Sequence, residues 1–150
     1  MRYLTALLIG LICVPRLTQA ALIQAKDQTA IVEFVQKAVV RALDYSQGDR
    51  QSLIDAQDDF SAVAWGEFMA TMKEWVDSEG TPLASSSFMP SGSAAITGDE
   101  NGLLHLTVPG VLKQSQNKST TTYRVEVDVH VGGNPLKIAY LKPVVRLRPR

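Results

Sequence analysis

Thr121-Thr122-Tyr123-Arg124-Val125-Glu126-Val127-Asp128-Val129-His130-Val131 is the stretch on which the fold turns. Tyr123, Val125, Val127, Val129 and Val131 alternate with Arg124, Glu126, Asp128 and His130. In an extended backbone this alternation sends the apolar set to one face and the polar set to the other. The stretch therefore predicts a strand buried on one side, and most other apolar segments read as its neighbours or its cover.

Working outward, Leu104, Leu106 and Val108 alternate with His105 and Thr107, and Pro109-Gly110 predicts a bulge or an edge before Val111 and Leu112 continue the strand. Gln114 to Ser119 is a polar turn between the two strands. It contains Asn117-Lys118-Ser119, a short glycosylation-acceptor pattern of the kind that also arises by chance. Downstream, Gly132-Gly133-Asn134-Pro135 makes a turn, Leu136, Ile138 and Tyr140 resume alternation, and Val144 to Arg150 is a basic extended tail. Upstream, Gly98-Asp99-Glu100-Asn101-Gly102 carries oxygen ligands, but it lacks the ligand spacing and distant glutamate of a calcium loop and reads as a hairpin turn. Ser93 to Ile96 is a weak strand. Ala84 to Gly92 is loop-like, with Phe88-Met89 able to begin an edge strand before Pro90. The result is an antiparallel meander.

Helices precede it. Ile31, Phe34, Val35, Ala38, Val39 and Ala42 follow helical spacing, with Asp27 or Thr29 as cap, Gln47-Gly48 at the end, and Ala21 to Gln28 as a frayed lead-in. Asp49 to Ala56 reads as a short second helix anchored by Leu53 and Ala56. From Ser61 to Asp77 the pattern predicts a third, in which Ala62, Trp65, Phe68, Met69, Met72, Trp75 and Val76 form one apolar stripe opposite Glu67, Lys73, Glu74 and Asp77. Glu79-Gly80-Thr81-Pro82 stops it. Asp58-Asp59 resembles a metal pair but precedes this helix, where acidic groups suit the positive end of the dipole. Trp65, Phe68, Met72 and Trp75, with Tyr123 facing them from the sheet, are the candidate core or cavity lining.

The first twenty residues read as a secretory signal peptide: Arg2 is the positive n-region, Leu4 to Val14 the apolar run, and Thr18-Gln19-Ala20 precedes a cut ahead of Ala21. Pro15 and Arg16 interrupt the run before it reaches the length of a membrane span. Cys13, the only cysteine, raises a lipoprotein alternative, but Ile12 occupies the place where a small residue belongs. Residues 21–150 then form one domain, large enough for a core and too small for two. With no cysteine left in it, that domain has no disulfide framework or thiolate metal site to rely on.

Charge is unevenly spread. Residues 21–100 hold 5 basic and 13 acidic side chains, a net of −8, whereas residues 101–150 hold 8 basic and 2 acidic, a net of +6. Such a split can orient a partner or a second copy of the chain; the plainer explanation is acidic helices and basic strands that each face solvent. Arg146, Arg148 and Arg150 recur at every second position, so an extended tail places them on one side as a candidate interaction edge.

Enzyme chemistry finds no foothold. There is no nucleophile elbow, phosphate loop, paired-histidine zinc motif or dinucleotide fingerprint. His105 and His130 alternate with the buried face and so point away from any pocket behind it. Lys142, Arg146, Arg148 and Arg150 could neutralise phosphates, but they come without an aromatic platform or a recognition motif. No catalytic, cofactor-binding or metal site is predicted, and no nucleic-acid partner.

Ala42, Tyr45-Ser46, Asp49-Arg50, Ala56, Phe60-Ser61, Trp65, Phe68 and Met72, followed by the strand Leu104 to Leu112 with its Val108-Pro109, resemble the periplasmic domain of the DotI/IcmL family of type IV secretion components, related to the conjugation protein TraM. The resemblance covers most of Ile31 to Pro143 and rests on packing residues. It implies a cystatin-like or nuclear-transport-factor-like α+β roll, with N-terminal helices on an antiparallel sheet of three to four strands. It also implies a bacterial envelope location and a non-enzymatic role in assembling a secretion channel. Family members carry a cytoplasmic start and a full transmembrane helix, whereas this chain has only the short Leu4 to Val14 run, which implies a released periplasmic relative. The expectation is therefore a periplasmic or secreted protein-interaction module. Its partners are envelope proteins or a second copy, and it meets the membrane only through them. The alternative is a small-ligand-binding roll. A space between the Trp65 helix and the Tyr123 strand that is filled by side chains favours the first, and an open apolar cavity of a few hundred Å³ favours the second.

Overall fold

The computed structural model describes residues 16–146, with side chains from residue 27 onward. Arg148 and Arg150, and the apolar run Leu4 to Val14, lie outside the described residues. The chain divides into two compact units, Met1–Ala30 and Ile31–Arg150. In the first, residues 16–30 are helical.

Helix α1 (Arg16–Leu43) is longer than its apolar periodicity predicts. Residues 21–28 are helical rather than frayed, and Asp27 and Thr29 lie inside the helix instead of capping it. Ala, Leu, Gln and Lys dominate this part, and their high intrinsic propensity sustains a helix without an apolar stripe. Within the second unit, Val35, Ala38, Val39, Ala42 and Leu43 are buried, the face that the sequence spacing marks. Helix α2 (Arg50–Ile54) starts at Asp49, whose carboxylate accepts from the backbone N–H of Gln51 at 3.0 Å and of Ser52 at 3.4 Å. A 3-10 turn over Gln57–Asp59 follows.

Asp59 is not a helix-start charge. Its carboxylate takes two hydrogen bonds from the Arg41 guanidinium, at 2.7 and 2.9 Å, and so ties this turn to α1. The hydrogen bond to Asp59, reinforced by its charge, raises the Arg41 pKa further. The cap of helix α3 (Ala62–Thr71) is Ser61, whose hydroxyl accepts from Ala64 N at 3.2 Å.

Helix α3 is shorter than predicted. It ends at Thr71, and Trp75 and Val76 sit in a chain reversal, not on the helix. The Trp75 carbonyl accepts from Leu83 N at 2.8 Å, Asp77 N donates to Thr81 O at 2.9 Å, and Val76 bridges to Pro82. These bonds across the reversal capture groups that would otherwise continue the helical ladder. Asp77 accepts from Glu79 N and Thr81 N at 2.9 and 2.8 Å, and these backbone donors, Thr81 first, lower its pKa.

The sheet has five antiparallel strands where three to four were expected: β1 (Ser85–Pro90), β2 (Ala95–Glu100), β3 (Leu103–Gln116), β4 (Ser119–Gly132) and β5 (Lys137–Val145). The order is β1-β3-β4-β5, and β2 also pairs with β3. β3 and β4 are longer than the alternation alone suggests. Polar residues carry them out to a two-residue turn at Asn117-Lys118, both at positive φ, as Asn101-Gly102 are between β2 and β3. Such paired left-handed residues match the twist of a tight hairpin.

β1 and β2 share one side of β3, β2 along Leu103–Thr107 and β1 along Gly110–Ser115. Pro109 falls at the junction between them. Its carbonyl accepts from Ser91 N at 2.9 Å, so its missing N–H faces the gap and no ladder bond is lost. Of the bulge or edge that the sequence allows here, no bulge forms; the register shifts lie at Ile96/Gly98 and His130/Val131. Gly110 is required for another reason: the Phe88 ring crosses over it, and a Cβ there would stand 2.4 Å from two ring carbons.

Leu106, Val108, Val125, Val127, Val129, Val131 and Ile138 are fully buried on the face covered by the helices. The second unit is thus an α+β roll, with the alternation of Tyr123 to Val131 at its centre.

Candidate functional site

On the covered face of the sheet the packing leaves a groove of about 610 Å³. One wall is α3 and the reversal after it: Ala64, Phe68 and Met72, all buried, and Trp75. The opposite wall is Tyr140 to Pro143 of β5. Four consecutive residues can line one cavity only if the strand turns its edge to it, and β5 is the last strand in the sheet. The register confirms this: Arg146 N donates to Arg124 O at 2.9 Å, so alternate residues Leu141 and Pro143 turn their main-chain groups away from β4. Pro143 has no N–H to leave unpaired there.

The floor holds the polar groups. Tyr45 bridges to Ser86, with N···O distances of 3.0 and 2.8 Å in the two directions, and Ser86 stands opposite Gln114 in the β1–β3 register. Tyr45 and Ser86 are buried, 3% and 4% exposed. Burial raises the Tyr45 phenol pKa, and the neighbouring Ser86 and Gln114 side chains offset part of that rise. Ser86 Oγ is buried against the Tyr45 phenol, which it hydrogen-bonds together with Gln114. Among the described residues, Glu67 on α3 and Lys142 on β5 bring the only charges to the lining.

Of the residues expected to form the core or cavity lining, Phe68, Met72 and Trp75 line the groove. Trp65 and Tyr123 do not; both are half-buried and pack against the core. Trp65 belongs to an aromatic group, edge-on to Phe60 at 5.3 Å between ring centroids and 5.6 Å from Phe68. The apolar stripe of α3 is rotated from the one expected: Ala64 and Phe68 are at its centre and Ala62 is exposed. The sequence did not single out Ser86 or Gln114, because Ser85-Ser86-Ser87 and Gln114-Ser115 look like any polar connection.

Arg146 does not stand free. It forms an ion pair with Glu126 of β4, which raises the Arg146 pKa by hydrogen bond and charge. On the sheet face away from the core, His105 and His130 stack with ring centroids 3.7 Å apart and planes 8° from parallel, and Tyr140 lies 4.7 Å from His130. Burial first, then the like charge of His105, lowers the His130 pKa, against the pull of Asp128 and Glu100. The two histidines face away from the groove, as their alternation requires. Among the described residues no three potential metal ligands come together, and no described helix is long and apolar enough to cross a membrane.

Neither a protein-family model nor a curated protein matches the sequence. Three solved structures share the fold. An IcmL-like type IV secretion system protein from Legionella pneumophila superposes with a TM-score of 0.65 at 10% identity, over 81% of this chain and 95% of its own. The periplasmic domain of DotI gives 0.63 at 14% identity, over 79% and 95%. CagV, a VirB8 homologue of the Helicobacter pylori type IV secretion system, gives 0.56 at 15% identity, over 79% and 99%.

Proposed function

We propose that residues 31–150 form a non-enzymatic interaction module of the bacterial envelope, of the kind that assembles type IV secretion channels. The observation that carries this reading is fold coverage: three type IV secretion proteins are matched over 95% or more of their own chains by about four-fifths of this one. The residues add support. Ordinary packing accounts for the resemblance at Phe60, Trp65, Phe68 and Met72, and the two histidines, the obvious acid–base candidates, face away from the groove. Partners are envelope proteins, and the location is the periplasm after removal of the first twenty residues. A cut ahead of Ala21 would take Arg16–Ala20 from α1.

Crosslinking in intact cells, followed by capture of the tagged chain from the envelope fraction, tests the proposal. Recovery of secretion-channel components, together with an intact mass that begins near Ala21, is expected. A full-length chain with no such partner in cells that assemble the channel would overturn it. Because Arg146 gives its charge to Glu126, the interaction edge rests on Arg148 and Arg150. Changing all three arginines to Ser should weaken capture in a salt-dependent way and leave the unfolding midpoint nearly unchanged.

A second reading has its own observation. The space between α3 and the sheet is not filled by side chains, and a groove of about 610 Å³ falls within the range of ligand sites. On this reading the roll binds a small molecule, alone or as part of an assembly.

A further inference from the structure

We propose that the sheet face away from the helices carries a site for a small monocarboxylate with an apolar body, the carboxylate held between Arg124 and Arg146 and the body lying on Pro109 and Val111. These four residues, with Ser91 and Glu126, line a cleft of about 410 Å³, in the lower part of the range for ligand sites. The cleft shares no lining residue with the groove between α3 and β5. The inference goes beyond the envelope reading and does not depend on it.

The arginine pair carries the argument. Arg146 N donates to Arg124 O at 2.9 Å, one step beyond the Val125–Val145 pairing of β4 and β5, so the two arginines stand opposite each other on one face of the ladder. Like charges in that position destabilise a sheet. Glu126, two residues along β4 on the same face, pairs with Arg146 and leaves the Arg124 guanidinium with no ion pair or hydrogen bond among the described residues. Two cations therefore share one carboxylate at the wall of a cleft, and a second carboxylate completes the set.

Charge and shape select the ligand. Arg124, Arg146 and Glu126 leave a single net positive charge in the lining, which one singly charged anion neutralises. A dianion would leave a charge over beside Glu126, and a cation would meet two like charges. The planar guanidinium fork of Arg124 can take both oxygens of a carboxylate, and Arg146 has N–H donors beyond the one it gives to Glu126. The floor is apolar: the Pro109 carbonyl is already taken by Ser91 N at 2.9 Å, and Val111 is half-buried beside it. A bare anion would leave that floor wet.

The full chain is titrated by calorimetry with octanoate, acetate, octyl phosphate and octylammonium, each below its micellar concentration, at about pH 8, where a phosphate monoester is a dianion. One equivalent of octanoate should bind, at least about tenfold more tightly than acetate or octylammonium and about threefold more tightly than octyl phosphate. Its affinity should fall as salt rises. Arg124→Gln should weaken octanoate binding at least about tenfold while holding or raising the unfolding midpoint, since it removes one of two opposed like charges. Arg124→Lys, which keeps the charge and loses the fork, should fall between. Glu126→Gln should raise the affinity for octyl phosphate relative to octanoate by about threefold or more, a change of preference that a merely structural role for Glu126 would not produce. Acetate or octyl phosphate binding as tightly as octanoate would overturn the monocarboxylate assignment, and so would an affinity indifferent to salt. Unchanged octanoate affinity in Arg124→Gln would place the ligand elsewhere and overturn the site. Failure of octanoate to bind would overturn it too, and would leave the envelope reading standing.

Discussion

Replacing Gly110 by Ala adds one methyl group at the most crowded of the described glycines. Its Cβ would stand 2.4 Å from Phe88 Cε2 and Cζ and 2.7 Å from the Met89 carbonyl oxygen, against about 3.5–4.0 Å for an unstrained carbon contact. The ring must therefore move by about 1 Å or more. Little room is available, because Phe88 is 5% exposed and its strand is registered to β3 on both sides of the clash, Phe88 to Leu112 and Pro90 to Gly110. Overpacking of this kind costs about 1–3 kcal/mol. Expelling the ring instead would forfeit about 1.5–3 kcal/mol of burial. The loss of glycine's chain entropy returns about 0.5–1 kcal/mol, so the net destabilisation should be about 1 kcal/mol. In a chain of this size that lowers the melting temperature by roughly 2–4 °C. Urea unfolding followed by tryptophan fluorescence measures it. Phe88→Leu has no Cε2 or Cζ, so the same glycine change made in that background should cost less by at least about 0.5 kcal/mol. Part of the cost should persist, because the Met89 carbonyl is backbone. A neutral or stabilising Gly110→Ala, or strict additivity with Phe88→Leu, would refute the reasoning.

Phe68→Ala, at a position 4% exposed, should cost about 3–5 kcal/mol; half-buried Trp65→Ala should cost about half as much, and exposed Glu67→Ala less than about 0.5 kcal/mol. Chemical denaturation of the three variants reads out the rotation of α3. Arg41→Gln breaks a two-bond pair whose side chains are 46% and 12% exposed; it should cost about 0.5–1 kcal/mol, less at high salt, in a double-mutant cycle with Asp59→Asn. For His130 the folded pKa lies below its ordinary 6.5, so the unfolded chain binds the extra proton first. The contribution of His130 is present above pH 6.5 and is lost as pH falls through 6.5 toward the folded value. His105→Ala, which removes the like charge, should flatten the dependence of stability on pH in that window.

How much was legible follows from what each signal encodes. Period-two alternation is set by one residue type facing one core, so β4 and the buried face of β3 could be read directly from Val125, Val127 and Val129; the alternation of Leu136, Ile138 and Tyr140 breaks, because the register shift at His130/Val131 puts Tyr140 beside His130 and buries Leu141 with Ile138. Strand ends could not, because Ser115, Gln116, Thr120 and Thr121 are polar whether they pair or turn. The α3 stripe was read too long because Trp75 and Val76 keep helical spacing after the helix has ended; past Thr71 the ladder tightens to three-residue turns, Lys73 N to Ala70 O and Trp75 N to Met72 O, and the Trp75 carbonyl then goes to Leu83 N. The groove was anticipated through Phe68, Met72 and Trp75, but its polar end was not. Tyr45, Ser86 and Gln114 come from three segments, and only the β1–β3 register and the Tyr45–Ser86 bridge bring them together.

The placement of Pro109 and Pro143 bears on how copies of this chain behave when crowded. Each proline turns its missing N–H toward a free side of the sheet, Pro109 into the gap between β1 and β2 and Pro143 outward from β5. At Pro143 an approaching strand meets a backbone position with no donor, which leaves one of its own carbonyls dry; at Pro109 the carbonyl is already taken by Ser91 N. The outer edge of β5 is thus mismatched at this residue to an approaching backbone, the chain's own edge included. An Ala at position 143 would restore the donor and turn β5 into a template, at no cost to the β4–β5 ladder. Such a variant would fold as well as the parent and fail by fibrillar association instead, a hazard that stability measurements alone would not register.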